Sequence, residues 1–444
     1  MLLRSRRALL LAGVLMVSLL PLSCGGEKEN GGQATAPAET KASGGEKVQG
    51  VTDTEILLGT HYPLSNSPAA VYAVSAYAMQ AYFDYINDQG GVHGRKIKLI
   101  IEDDQYSPTI AVEAVRNLVE QNKVFAIANG LGDPACYATY QYLERKGIPD
   151  ILLGGGIVAF SEPPGKLRTV SIPDYGEEAK GIATYLQEHY AGSKVGLLVQ
   201  SDESGTGTEK ILRQYVKEAN LDLDILDTEY YDYAEFDMTG QAQRMKAKNP
   251  DVVVFLSIPT AAASFAKAAR QLLNWDVPFI ANTVGGGDFY IALAGPEVAE
   301  GTVWQTFGSP LIFESIPGVQ KFKEVMQEYR PDLPLNTQTV YGYSNGAMIV
   351  KSLEDAGRNL TPESLMKGME STKDWCCELC FAPVSLSPND HKTQETEFFT
   401  VARNGKWEFT GEYVSWETTP SDRKICPLFQ EQVPNNRELL HASP

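Results

Sequence analysis

Gly342-Tyr343-Ser344-Asn345-Gly346 has the Gly-x-Ser-x-Gly spacing of a nucleophile elbow, where a sharp strand-to-helix turn exposes a serine hydroxyl. Acyl transfer would also need a histidine base, and His391 follows Ser344 in a chain with five histidines. The residues before the motif, Leu335 to Val340, are polar and weakly strand-like, and Ala347 to Leu353 carry a helical period through it. The motif therefore reads as a helix whose small residues pack against a sheet. Cys377-Glu378-Leu379-Cys380 has the spacing of a redox pair or of half a zinc ribbon. A second, separated Cys-x-x-Cys pair is missing. With Cys376 alongside and Cys426 near the C-terminus, the favoured reading is one or two disulfides that pin the tail to the 376–380 loop. Cys136, in an apolar helical pattern, is the expected leftover thiol. Gly90-Gly91-Val92-His93-Gly94 follows a helix and lacks the spacing of a dinucleotide loop, so His93 reads as a turn residue. There is no His-Glu-x-x-His helix and no Gly-x-x-x-x-Gly-Lys loop. No catalytic residue, metal or cofactor is expected.

Composition narrows the partners. The 444 residues carry 56 acidic against 38 basic side chains, a formal charge of −18, which disfavours a nucleic-acid partner. Mean hydropathy is −0.21, and the long apolar run is confined to the N-terminus, which excludes a polytopic membrane protein. Arg4, Arg6 and Arg7 precede the apolar stretch Ala8 to Leu20, as in an export signal. Pro21-Leu22-Ser23-Cys24 resembles a bacterial lipobox, departing from it at Pro21, where leucine is usual. We expect a signal peptide over 1–23 and diacylation of Cys24, the alternative being a plain signal peptide or short anchor. Residues 24–50, rich in Gly, Glu, Lys, Ala and Thr, read as a disordered tether. The membrane is then touched through the lipid alone, and the folded part is extracytoplasmic.

From residue 52 short β-rich runs alternate with amphipathic stretches. Strands are expected at 55–59, 96–101, 124–128 and 150–153, then near 168–172, 195–200, 224–230, 251–257 and 277–281. Helices are expected at 69–89, 107–121 and 135–146, then near 177–191, 207–220, 239–248 and 260–273. Continuous apolar runs such as Val252-Val253-Val254-Phe255-Leu256 suit strands buried on both faces. This alternation predicts an α/β fold of two doubly wound, Rossmann-like lobes. After about 300 come helices near 316–329, 338–356 and 361–370, then strands near 396–403 and 406–414 around the hairpin signal Asn404-Gly405.

In open α/β sheets, ligands bind beyond the carboxyl ends of strands. Small and polar residues gather there: Thr60 to Ser67, Gly130 to Pro134, Gly154-Gly155-Gly156, Ser201 to Ser204, and Asn282 to Gly287. Glycine admits close backbone approach, and loops of this kind converging from two lobes point to a binding cleft.

Ala81-Tyr82-Phe83-Asp84-Tyr85-Ile86-Asn87-Asp88-Gln89-Gly90-Gly91-Val92-His93-Gly94-Arg95-Lys96-Ile97, followed by Glu102-Asp103-Asp104, resembles the extracytoplasmic substrate-binding proteins of ABC importers, specifically the branched-chain amino-acid-binding type. Gly147-Ile148-Pro149 and Pro388-Asn389-Asp390-His391 extend the resemblance, which covers 52 to about 415. It implies the type I periplasmic binding protein fold, with three crossover segments, a cleft that hinges shut on a small solute, and a membrane permease as partner. Expected boundaries are 51–172 plus 300–380 for the first lobe, 173–299 plus 381–420 for the second, and 421–444 for a C-terminal tail.

By the same resemblance, hydroxyls that would meet an amino acid's carboxylate are replaced by Gly132-Asp133-Pro134 and Gly154-Gly155-Gly156. Like charges would then meet in a low-dielectric cleft, which argues against a standard α-amino acid. The resemblance places Glu177 near a ligand amine and Ser204 and Thr260 at second-lobe contacts, and Tyr62 and Tyr175 are rings on which a solute can stack. The expected ligand-binding set is Tyr62, Ser65, Asp133, Pro134, Gly155, Gly156, Tyr175, Glu177, Ser204, Thr260 and Asn282. The leading expectation is a monomeric solute receptor for an importer. A sensory ligand-binding protein of the same fold is the alternative, and a hydrolase built on Ser344 is a third reading.

Overall fold

The computed structural model describes residues 48–308, 310–416, 425–432 and 436–439. The expected signal peptide, Cys24 and nearly all of the tether lie outside the described residues. Residues 47–444 form one compact unit. Its first sheet contains β1 (Glu55–Tyr62), β2 (Lys96–Asp103), β3 (Ala126–Ala128), β4 (Asp150–Leu153) and β5 (Arg168–Val170), all parallel in the order β2-β1-β3-β4-β5. The second contains β6 (Ser193–Gln200), β7 (Leu223–Ile225), β8 (Glu229–Tyr231), β9 (Val252–Leu256), β10 (Phe279–Ala281), β11 (Val303–Thr306), β12 (Thr396–Arg403), β13 (Lys406–Ser415) and β14 (Arg437–Glu438). Its order is β14-β13-β12-β11-β10-β9-β6-β7, with β8 also on β6. The chain crosses between the sheets after β5, after β11 and before β12. This is the α/β architecture of two doubly wound lobes and three crossovers.

Side-chain alternation explains the layers. In β9, Val252, Val254 and Leu256 enter the core on one face of the second sheet, and Val253 and Phe255 enter the core on the other. A run apolar at every position satisfies both faces, each buried side chain contributing about 1.5–3 kcal/mol. In the first lobe, Met79 and Phe83 of helix Ala73–Asp88 and Met348, Ile349 and Leu353 of helix Thr337–Ala356 cover one sheet face. Val115, Leu118 and Leu143 cover the other.

Several boundaries differ from expectation. The stretch 224–230 splits into β7 and β8, both paired with β6. Strand β11 was not expected at all. It hydrogen-bonds β10 and β12 in the second sheet, so the segment from 300 does not join the first lobe at its start. The third crossing lies nearer 393 than 380, because Val384 and Leu386 are buried in the first-lobe core and Lys392 bridges Val170. Part of the tail is integral: β14 extends the second sheet beside β13, and Phe429 packs on Phe381.

The cysteines pair as Cys376–Cys426 and Cys377–Cys380, leaving Cys136 as a buried free thiol. One bridge therefore ties the tail to the loop and the other closes within it. Asn404 and Gly405 have positive φ (50° and 76°), the geometry of the type I′ hairpin turn. Ser344 lies in the middle of helix Thr337–Ala356, away from any strand-to-helix turn. The elbow is absent, and His391 is held by the Arg168 carbonyl and Glu370.

Candidate functional site

Two cavities open between the lobes beyond the strand ends, of about 980 Å³ (its open mouth included) and about 280 Å³. Both are bordered by Tyr106, Asp133, Tyr175, Ile258 and Val284, so they form a wide and a narrow chamber of one cleft. Tyr72, Trp304, Phe307 and Tyr341 give the wide chamber an aromatic lining. Gln200, Ser204, Ser257 and Asn282 give the narrow one a polar lining.

Asp133 is the first residue of helix Asp133–Lys146, which follows β3. Its Oδ1 accepts from the Gly156 backbone N–H at 3.0 Å and its Oδ2 from the Tyr175 hydroxyl at 2.8 Å. Burial, and then the charge of Asp202, push its pKa up to about 7. The adjoining glycines are what let these groups meet. A Cβ on Gly155 would stand 2.7 Å from Asp133 Oδ1, and one on Gly156 only 2.4 Å from the Tyr175 ring. Pro134, in the first turn of the helix, helps start it and is half-buried outside the lining.

On the facing lobe, Asp202 caps helix Glu203–Glu218, and Ser204 donates to Asp202 Oδ1 at 2.5 Å. Asn282 Oδ1 accepts from the Gly285 N–H at 2.9 Å. Ser257, directly after β9, is 3% exposed, and its hydroxyl lies beside that of Tyr231. Thr260 Oγ1, nearby in sequence, is buried and unpartnered, though Thr260 is outside the lining. Beneath this wall, Glu397 accepts from Thr283 and Gln305, both at 2.8 Å. Burial raises the carboxyls of Glu178 (to about 7) and Glu397, and Glu178 pushes Glu397 further up.

The lobes touch across the mouth. Tyr72 Oη donates to the Val284 carbonyl at 3.0 Å, and Tyr106 packs edge-on against Tyr233. The Thr337 N–H and hydroxyl both donate to Asp288 Oδ2 at 2.7 Å.

Of the residues expected from the sequence, the structure brings Asp133, Tyr175, Ser204 and Asn282 to the cleft, with Gly155 and Gly156 directly behind Asp133. Besides Pro134 and Thr260, three more expected residues lie outside the lining. Tyr62 is fully buried because β1 continues through it; its hydroxyl donates to Asn129 at 2.6 Å, one residue behind Tyr341 in the wall. Ser65 is held by Asp103 Oδ2 at 2.5 Å, outside the lining. Glu177 lies two positions beyond Tyr175, about 200° around the helix, and so faces the hinge. There it pairs with Lys392 at 2.5 Å, and Lys392 also meets Glu395 at 3.3 Å. Burial opposes the Lys392 charge, but Glu177 and Glu395 hold its pKa above the ordinary value.

The sequence reading missed Tyr72, Tyr106, Ser257, Trp304, Phe307 and Tyr341. The strand-end rule reaches Tyr106, in the loop after β2, and Ser257, directly after β9. The other four stand on a short helix, β11, a crossover and a long helix, where spacing carries no signal of a shared wall. Among the described residues no cluster of His, Cys, Asp and Glu is fit to hold a metal ion, and no helix is long and apolar enough to cross a membrane.

Comparison with known proteins agrees with this architecture. The Leu/Ile/Val-binding protein homolog 7 of Brucella abortus is 24% identical over 313 residues, spanning 67% of this chain and 77% of the relative. A fatty acid ABC transporter substrate-binding protein from Thermomonospora curvata superposes with a TM-score of 0.74 at 24% identity, covering 82% of this chain and 93% of that one. A branched chain amino acid ABC transporter from Thermus thermophilus, solved with bound valine, gives 0.74 at 18% identity, covering 86% and 99%. The family model for periplasmic binding proteins matches residues 55–406. The cleft thus lies between the two lobes of a type I fold, and the chain belongs to the periplasmic binding protein family.

Proposed function

We propose that this protein is a lipid-anchored, extracytoplasmic solute receptor that captures a small aromatic or apolar solute with a polar end and hands it to an ABC importer permease. The observation that carries the reading is the two-chambered cleft, lined from both lobes and set beside the three crossovers. Contacts such as Thr337–Asp288 bridge its mouth, and hinge closure around a ligand would make and break them. The resemblance at 81–97 and relatives named as importer components support the same role. Cys24 would supply the membrane attachment, and a monomer suffices for the mechanism.

A thermal-shift screen of the purified protein against amino acids, aromatic amines and acids, amides, fatty acids and dicarboxylates tests the reading. A true solute at 100 times its dissociation constant adds about 2.7 kcal/mol and raises the melting temperature by a few degrees. No shift with any small solute would overturn the receptor role.

A further inference from the structure

The charge pattern of the cleft bears on which solute it takes, given the receptor reading above. A helix N-terminus ordinarily offers its donors to an anion. Here the helix opens instead with a carboxylate, Asp133, which receives the Gly156 N–H and the Tyr175 hydroxyl. No lysine, arginine or histidine is among the residues lining either chamber. An incoming carboxylate would therefore find no counter-charge and would confront Asp133, with the Asp202 charge close enough to act on it.

An ammonium meets the opposite situation. It carries donors and no acceptor, and the narrow chamber offers it acceptors: the Asp133 carboxylate and the Ser257 hydroxyl, which can donate to Tyr231 and still accept, its residue 3% exposed. Tyr106 and Tyr175 border the same chamber, and aromatic faces attract cations. The wide chamber beyond, with Tyr72, Trp304 and Phe307, suits an apolar or aromatic body.

We propose that the cleft selects an organic cation, an amine with an aromatic or apolar body, seated with its charge at Asp133 and Ser257, and that it rejects solutes bearing a free carboxylate. Burial and Asp202 raise the Asp133 carboxyl to about 7, as befits an acid whose counter-cation arrives with the ligand.

The test is calorimetric titration of the purified protein at pH 8 with three probes of one shape: 2-phenylethylamine, phenylalanine and 3-phenylpropanoate. The expected result is that the amine binds at least about tenfold tighter than either carboxylate. Asp133→Asn should weaken the amine by about tenfold or more, and Ser257→Ala by a few-fold. The probe series on the unaltered protein stands even if Asp133→Asn fails to fold. If a carboxylate probe equals or beats the amine, the cation assignment is overturned while the receptor reading survives. The same holds if all three probes fail but the wider screen yields an anionic or neutral solute. Silence from every solute overturns both.

Discussion

The two walls of the cleft grow from the same kind of element, the loop after a parallel strand, yet they differ in how their polar groups are satisfied. On the first-lobe wall Asp133 accepts from Gly156 and, across the crossover, from Tyr175 at the start of the second-lobe helix Tyr175–Tyr190. On the second-lobe wall the Ser257 hydroxyl has only that of Tyr231 beside it, and the nearby Thr260 hydroxyl is buried with no partner. A buried polar atom without a partner is costly, so a wall that keeps one is either poised for a ligand or unfinished without it. The difference separates a wall whose polar groups are paired from one that keeps hydrogen-bonding capacity in reserve.

That contrast can be broken most directly at Tyr175. Tyr175→Phe leaves Asp133 Oδ2 without its donor, and hydrogen bonds to charged groups are worth about 1.5–3 kcal/mol. Urea unfolding of the solute-free protein should show a loss of that size, and an unchanged midpoint would remove the rigid wall from the comparison.

A second test uses the acids behind both walls. Asp133 has its pKa raised to about 7, facing Asp202, Tyr175 and the N–H groups of Gly156 and Ile157. Glu178 and Glu397 are also raised, facing Thr283, Asn282, Gln305, Glu177 and Asp133. Carboxyls raised in the fold bind more protons there than in the unfolded chain. Stability therefore falls as pH climbs from about 4 through 7. Carboxyls lowered in the fold, such as Glu209, act below about pH 4.5 and do not oppose this window. The melting temperature without solute should be higher at pH 5 than at pH 8, and Asp133→Asn should flatten the slope. A flat or rising profile would mean these acids are compensated by groups the structure does not place beside them.

The smallest effect sharpens the contrast from the other side. Ser257→Ala deletes a hydroxyl beside Tyr231, whose own hydroxyl keeps Gln200 and the Ile258 N–H, so solute-free stability should change by less than about 0.5 kcal/mol. A larger loss would mean that the second wall is as internally bonded as the first.

Much of the fold is legible in the residues. Period-two and period-3.6 patterning, with glycine and proline punctuation, marks most of the elements, because burial on two faces of a sheet leaves an unbroken apolar run such as Val252–Leu256. Strand β11 escaped because Val303-Trp304-Gln305-Thr306 is short and half polar; its glutamine is buried only because Glu397 accepts its hydrogen bond.

The strand-end rule located Asp133, Ser204 and Asn282, since chain direction alone fixes which end of a parallel strand opens the cleft. It could not orient side chains. Tyr62 and Glu177 are of the right residue type but point into the core and toward the hinge, because a single strand residue or a partial helical turn reverses a side chain's direction. The sequence by itself determined the two-lobed α/β plan, the cysteines available to staple the tail, and the placing of an acidic residue where the first-lobe helix begins. Tertiary structure alone decided that Trp304, Phe307 and Tyr341, from a strand, a crossover and a helix, share one chamber with Asp133. It also decided that no cation stands among them, for a cleft is closed by segments far apart in the chain, and local periodicity records nothing of what faces what across it.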